Sequence, residues 1–146
     1  MFIDDVTNAG AIPALELSMR FAGARHGLLT HNIANMDTPN FQTRDVSPEG
    51  FQAVLGEAID RRRETGVDWG ELKWEESQEV RKGEDGQELR LRPTTTSGNI
   101  LFHDRNNRDL ERLMQDLAEN TAFFRVSSDL LRQQVAHIRG AIAERV

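Results

Sequence analysis

IPALELSMRFAGARHGLLTHNIAN, residues 12–35, is the stretch that decides the architecture. Ile12, Leu15, Met19, Ala22, His26, Leu29 and Ile33 recur at alternating intervals of three and four. That is the a/d spacing of a helix built to lie along another helix, with one polar member. Pro13 suits the first turn, where its missing N–H costs nothing. The residue before Pro39 avoids the α region, so the helix ends ahead of it and Asp37-Thr38-Pro39-Asn40 reads as a turn. A second apolar set, Leu17, Phe21 and Leu28, lies on the opposite face at about 100° per residue.

The partner helix is at the other end of the chain, from about Asp109 to Glu144. It has no proline and one glycine, Gly140. At about 1.5 Å per residue it extends roughly 50 Å, too long for the core of a small globule. Leu110, Leu113, Leu117, Asn120, Phe124, Ser127, Leu131, Gln134, Ile138 and Ala141 form its seam, and Met114, Val135 and Ile142 widen it. Asn120 within that seam either sets register, as a polar a-position does, or sits at a wet edge. Phe123, Val126 and Leu130 make a separate patch on the far side.

Between them, about 41–108 is mixed. Ser47-Pro48 reads as an N-cap with proline at the first helical position. Phe51, Val54, Leu55, Ala58 and Ile59 then carry a short helix to about Arg62. Glu88 to Arg92 alternates with period two after the turn signal Asp85-Gly86, and Gln78 to Arg81 is its partner in a small hairpin. Pro93 to Gly98 reads as loose. The fold class is therefore mainly α: long N- and C-terminal helices packed as an elongated antiparallel hairpin or coiled coil, with a short helix and a β-hairpin in the middle. The divisions are 1–45, 46–108 and 109–146.

Pairing the terminal helices satisfies one face of each. Leu17, Phe21, Leu28, Phe123, Val126 and Leu130 are left over. Leaving six such side chains wet forfeits on the order of 10 kcal/mol, comparable to the stability of a whole domain. Either residues 51–62 cover them as the third helix of a bundle, or other subunits do. The middle zone is polar, which favours other subunits.

Composition narrows the function. Charged residues make up 29% and apolar ones 38% of the chain, which suits elongated helices better than a sphere. The net charge is −6, and no third of the chain is net basic. Nothing supports a nucleic-acid surface. Arg61-Arg62-Arg63 is flanked by Asp60 and Glu64 and reads as a solvated helix end. The absence of cysteine excludes disulfides and thiolate metal sites. Met1-Phe2-Ile3-Asp4-Asp5 lacks the basic and apolar regions of a cleaved leader, and no stretch suits direct membrane insertion. His26 and His31 are five apart and share no helix face, His137 faces away from the seam, and His103-Asp104 is a lone pair. No phosphate loop, dinucleotide turn or nucleophile elbow occurs. The reading is no enzyme, no catalytic residue, no metal and no cofactor; a hydrolase would rest on His103-Asp104 alone.

Leu28-Leu29-Thr30-His31-Asn32-Ile33-Ala34-Asn35-Met36-Asp37-Thr38-Pro39-Asn40-Phe41 resembles the N-terminal signature of the flagellar axial family of rod, hook and hook-associated proteins. Asn32, Ala34, Asn35, Thr38, Pro39 and Phe41 match its N-x-A-N-x-x-T-P-G-[YF] run, and Asn40 replaces the usual glycine. Asparagine is the next best residue at a left-handed position. The stretch Asp109-Leu110-Glu111-Arg112-Leu113-Met114-Gln115-Asp116-Leu117-Ala118-Glu119-Asn120-Thr121 is similar to the matching C-terminal motif, in the form carried by proximal-rod members. The resemblance covers both terminal thirds. It implies a structural subunit of the flagellar basal-body rod, in the periplasm, exported without a cleaved signal peptide. Its implied partners are other rod proteins, rod-adaptor and export-gate components, and copies of itself. The assembly residues on this reading are the leftover apolar Leu17, Phe21, Leu28, Phe123, Val126 and Leu130, the seam residue Asn120, and the motif residues Asn32, Asn35, Thr38, Pro39 and Phe41. On the residues alone, Asn32 and Asn35 either bond orphan carbonyls at the helix end or donate across an interface. A self-contained helical adaptor or chaperone-like binding module is the alternative.

Overall fold

Helix α1 spans Ile12–Ala34 and begins and ends where the two prolines require. Pro13 lies in its first turn. Asn35 closes it: the backbone N–H donates to the His31 carbonyl at 3.2 Å, and the side-chain Nδ2 donates to the same oxygen at 2.8 Å. The chain then reverses. Thr38 N–H donates to Asn35 O at 2.9 Å and Phe41 N–H to Thr38 O at 3.1 Å. Asn40 takes φ +61°, the left-handed conformation that asparagine tolerates better than other side-chain-bearing residues. Asn40→Ala is expected to lower stability by about 1 kcal/mol and Asn40→Gly to leave it level or raise it. Urea titration reads both, and an alanine variant with an unmoved midpoint contradicts the strain.

The computed structural model describes residues 9–66, 69–84, 88–95 and 110–143. After α1 come β1 (Arg44–Asp45), α2 (Pro48–Glu64), β2 (Val80–Lys82), β3 (Leu89–Leu91), β4 (Thr94–Thr95) and α3 (Leu110–Ala143). Asp109, the expected cap of α3, lies outside the described residues, as does the Asp85-Gly86 turn.

Helix α2 starts as its sequence demands. Ser47 is extended, with its Oγ accepting from Gly50 N–H at 3.0 Å, and Pro48 follows in the first turn. The Glu79 carboxylate accepts from Ser47 N–H at 2.7 Å, so a residue beside β2 holds the start of the helix. The helix runs to Glu64, two residues past expectation. Its basic end is solvated: Arg61 pairs with Glu75 at 2.6 Å and Arg63 with Asp60 at 3.4 Å.

The hairpin forms with Val80 opposite Leu91 and Lys82 opposite Leu89, antiparallel. Its first strand starts two residues later than expected. Ser77 explains this: its Oγ accepts from Val80 N–H at 3.0 Å and its own N–H donates to Val80 O at 2.9 Å. A turn thus occupies the expected strand start. The reading of 93–98 as loose is corrected in part. Thr94 and Thr95 pair antiparallel with Asp45 and Arg44, while 96–98 lie outside the described residues.

Helix α1 is the wall shared by two packing layers. One face meets α3, and Ile12, Ala22 and Leu29 are buried along that seam. The other face meets the middle region, where Leu17 and Phe21 enter a core with Val46, Phe51, Ala58, Leu72, Trp74, Val80 and Leu89. The Phe21 and Phe51 rings stack with centroids 4.0 Å apart and planes 6° from parallel. The expectation that the middle region is too polar to cover this face is corrected. It holds few apolar residues but aims them one way: Leu72 and Trp74 alternate with exposed Lys73 and Glu75, as the two-residue period of extended chain allows.

Candidate assembly surface

Helix α3 is the element with the most uncovered apolar surface. Over 34 residues it spans about 51 Å, yet its fully buried residues are Leu113, Asn120 and Ser127. These stand seven apart and face α1, the seam position of an a/d repeat. Only Leu113 is a large apolar side chain. Leu117, Leu131, Val135 and Ile138 are half-buried.

Asn120 settles between its two readings. It is 3% exposed, and its Nδ2 donates to the Ala22 carbonyl at 2.9 Å. This is a dry seam position that fixes register, not a wet edge. Asp116, one turn earlier on α3, lies near Arg25, which is three residues later on α1. The two helices therefore run antiparallel. Counting from the Ala22–Asn120 contact at about 1.5 Å per residue, α3 continues past the level of Ile12.

The far side of α3 is open. Val126 is 57% and Leu130 45% exposed, and Met114 and Phe124 are 50% and 38% exposed. Phe123 is half-buried and packs against the main core. Phe124 was expected within the seam. A straight helix drifts about 20° per heptad from an ideal seam, and a/d spacing alone does not show which member the drift uncovers. Met114, Leu117, Ala118, Thr121, Ala122, Arg125 and Val126 line one shallow surface.

The other expected assembly residues fall into two groups. Leu17, Phe21, Asn32 and Asn120 are buried within the chain. Asn32 Nδ2 donates to Arg44 O at 2.7 Å, and Arg44 N–H donates to Asn32 Oδ1 at 3.2 Å. Its amide thus pairs with β1 as another strand would, tying the chain after the turn to the helix before it. An intermolecular role expected for Asn32 gives way to this internal one, because both amide groups are in use and the side chain is 2% exposed. The second group lies about the C-terminal end of α1, beside a cleft, and its Leu28 also packs against the main core. Leu28, Asn40, Phe41 and Pro93 line that cleft, Phe41 standing edge-on to His31 at 5.6 Å. Thr38 and Pro39 are exposed in the turn, and Asn35 is half-buried as the helix cap.

A buried ion pair braces this arrangement and has no signature in the sequence. Arg25 Nε donates to Asp45 Oδ1 at 3.0 Å and its terminal nitrogen to Oδ2 at 2.6 Å. The side chains are 6% and 12% exposed. Arg25 reads as one more polar residue of a helix, and only the fold brings Asp45 beside it.

Among the described residues no group of three or more His, Asp or Glu could hold a metal ion, and no helix is long and apolar enough to cross a membrane. His103-Asp104 lies outside them. No protein-family model matches the chain. The chain is similar to the flagellar basal body rod protein FlgB of Bacillus subtilis (strain 168). The two are 26% identical over 113 residues, covering 77% of this chain and 77% of that protein. That similarity and the two long packed helices support a likeness to the flagellar rod protein family, FlgB-like.

Proposed function

We propose that this chain is a structural subunit of the flagellar basal-body rod and that it assembles through the outer side of α3. The exposure of Val126 and Leu130 carries this reading. The far face of α1 is covered by the chain's own middle region, whereas these two side chains have no cover among the described residues. Burying what remains exposed of Met114, Phe124, Val126 and Leu130 is worth on the order of 4 kcal/mol before the entropy of association is subtracted.

A second patch supports assembly in series. Leu28, Asn35, Thr38, Pro39 and Phe41 lie at the C-terminal end of α1, whereas the antiparallel register sets Leu130 level with its N-terminal end. The ends of a 23-residue helix are about 34 Å apart. Two different patches, one running along α3 and one at the C-terminal end of α1, suit a heterologous contact that repeats without closing, the geometry of a helical filament. The partners in this reading are copies of the chain, other rod proteins, and rod-adaptor or export-gate components. The location is the basal body. The chain carries no catalytic activity and needs no cofactor.

Val126→Asp and Leu130→Asp are expected to abolish swimming and incorporation into isolated basal bodies while leaving the circular dichroism of the purified chain unchanged, since both sites are exposed. Swimming at the parental rate in both variants would falsify the assignment. The closed core of the middle region gives some weight to a self-contained helical binding module. That reading requires rods to assemble in cells lacking the chain.

A further inference from the structure

We propose that the outer side of α3 pairs with the same side of a second copy of this chain, the two helices antiparallel about a two-fold axis beside Ala118. This rests on the reading of that side as a contact surface and names a partner for it in the free chain. Met114, Ala118, Ala122 and Arg125 are among the residues lining one shallow concavity there, and all four are exposed. Ala118 and Ala122 are one turn apart on one face. Side chains this small let a second helix approach toward the short end of the usual separation of roughly 8–10 Å.

The pattern on this side is self-complementary. Glu111 stands seven residues before Ala118 and Arg125 seven after it. Seven residues are two turns less about 20°, so both charges fall near the line of Ala118, about 10 Å to either side. Met114 and Ala122 stand four before and four after. A two-fold contact sets residue i against residue j and j against i. Antiparallel pairing about Ala118 therefore lays Glu111 of each copy beside Arg125 of the other, and Met114 beside Ala122. Anion meets cation, and a long side chain meets a short one. Parallel pairing would set Glu111 on Glu111 and Arg125 on Arg125. Both charges are exposed, and neither has an ion partner among the described residues, whereas Arg132 on the same side is taken up by Asp129 at 3.1 Å. The pair is closed and does not extend as a filament does; it covers the middle of α3 in the free chain. One helix pair is a small interface, of the class that associates weakly, so the pairing depends on concentration.

Sedimentation velocity of the purified full chain over a wide range of concentration tests this. The parent should pass from monomer to dimer as concentration rises. Glu111→Arg puts cation on cation and Arg125→Glu puts anion on anion, and each alone should weaken the association about tenfold or more. Mixed in equal amounts, the two variants should pair with one another as the parent pairs with itself, because each contact is again anion on cation. Both sites are exposed, and an unchanged circular dichroism spectrum shows that each variant is folded. Ala118→Cys gives an independent readout, since the chain has no other cysteine: mild oxidation should link two copies far faster than it links Gln52→Cys, placed on α2. A parent that stays monomeric at every concentration overturns the pairing and leaves the surface to a different chain. Single variants that associate as the parent does, a mixture that fails to recover, or Ala118→Cys linking no faster than Gln52→Cys overturns the antiparallel register. The rod reading fails separately, on swimming of the Leu130→Asp variant, whose site lies about 120° around the helix from Ala118.

Discussion

Phe51→Ala is expected to destabilise the chain by about 3–5 kcal/mol, the usual cost of removing a buried phenylalanine from a packed core. Such a loss takes a third or more of the stability of an ordinary domain. Phe51 is 1% exposed and lies flat on Phe21 at 4.0 Å. Its ring joins α2 to the far face of α1, in a core shared with Trp74, Val80 and Leu89. Removing it opens a cavity between the middle region and α1. Urea unfolding followed by far-ultraviolet circular dichroism measures the loss. Phe21→Ala should cost a similar amount, and the double variant should cost less than the two single losses added, because each single change already removes the stacked contact. A loss below about 1.5 kcal/mol for Phe51→Ala would mean that α1 does not depend on the middle region, and that its far face is free for other subunits after all.

The second large effect concerns charge. Asp45→Ala should cost about 3–5 kcal/mol, the penalty for leaving one member of a buried pair without its partner. Arg25 is 5% exposed and its guanidinium would keep its charge in a dry site. The same substitution removes the acceptor of Val46 N–H, which Asp45 Oδ1 holds at 2.8 Å. The control is Arg25→Met combined with Asp45→Ala. Replacing both members by apolar groups relieves the stranded charge, so the double variant should recover most of the loss. A double variant as unstable as Asp45→Ala alone would show that the defect lies in the turn from β1 into α2, and not in electrostatics.

The two effects divide the work of holding α1. The stacked rings fasten its far face to α2, and the ion pair fastens its flank to β1. Helix α3, with its polar-interrupted seam, is the most lightly held of the long elements. On the proposed assembly through α3, the subunit has a firm half and an adaptable half, in keeping with the general rule that elements which rearrange come from the less stable end of a fold.

What the residues determined unaided are the features set within a few positions along the chain. Pro13 and Pro39 bound α1, Ser47-Pro48 starts α2, and the absence of proline lets α3 run from Leu110 to Ala143. Asn40 at positive φ and the a/d pairing of α1 with α3 belong with them. Each follows from steric and hydrogen-bonding rules that reach one or two turns, or from a periodicity repeated often enough to leave one solution. Tertiary structure alone decided what covers each face. Leu17 and Phe21 carry the same apolar signal as Val126 and Leu130, yet the first pair is buried by residues from 46 to 89 and the second pair is exposed. Asn32 could have capped its helix or met a partner until β1 came alongside, and Arg25 had no visible reason to be buried until Asp45 reached it. Apolar burial is non-directional and takes whatever segment arrives, so helical spacing shows that a face will be covered without showing by what.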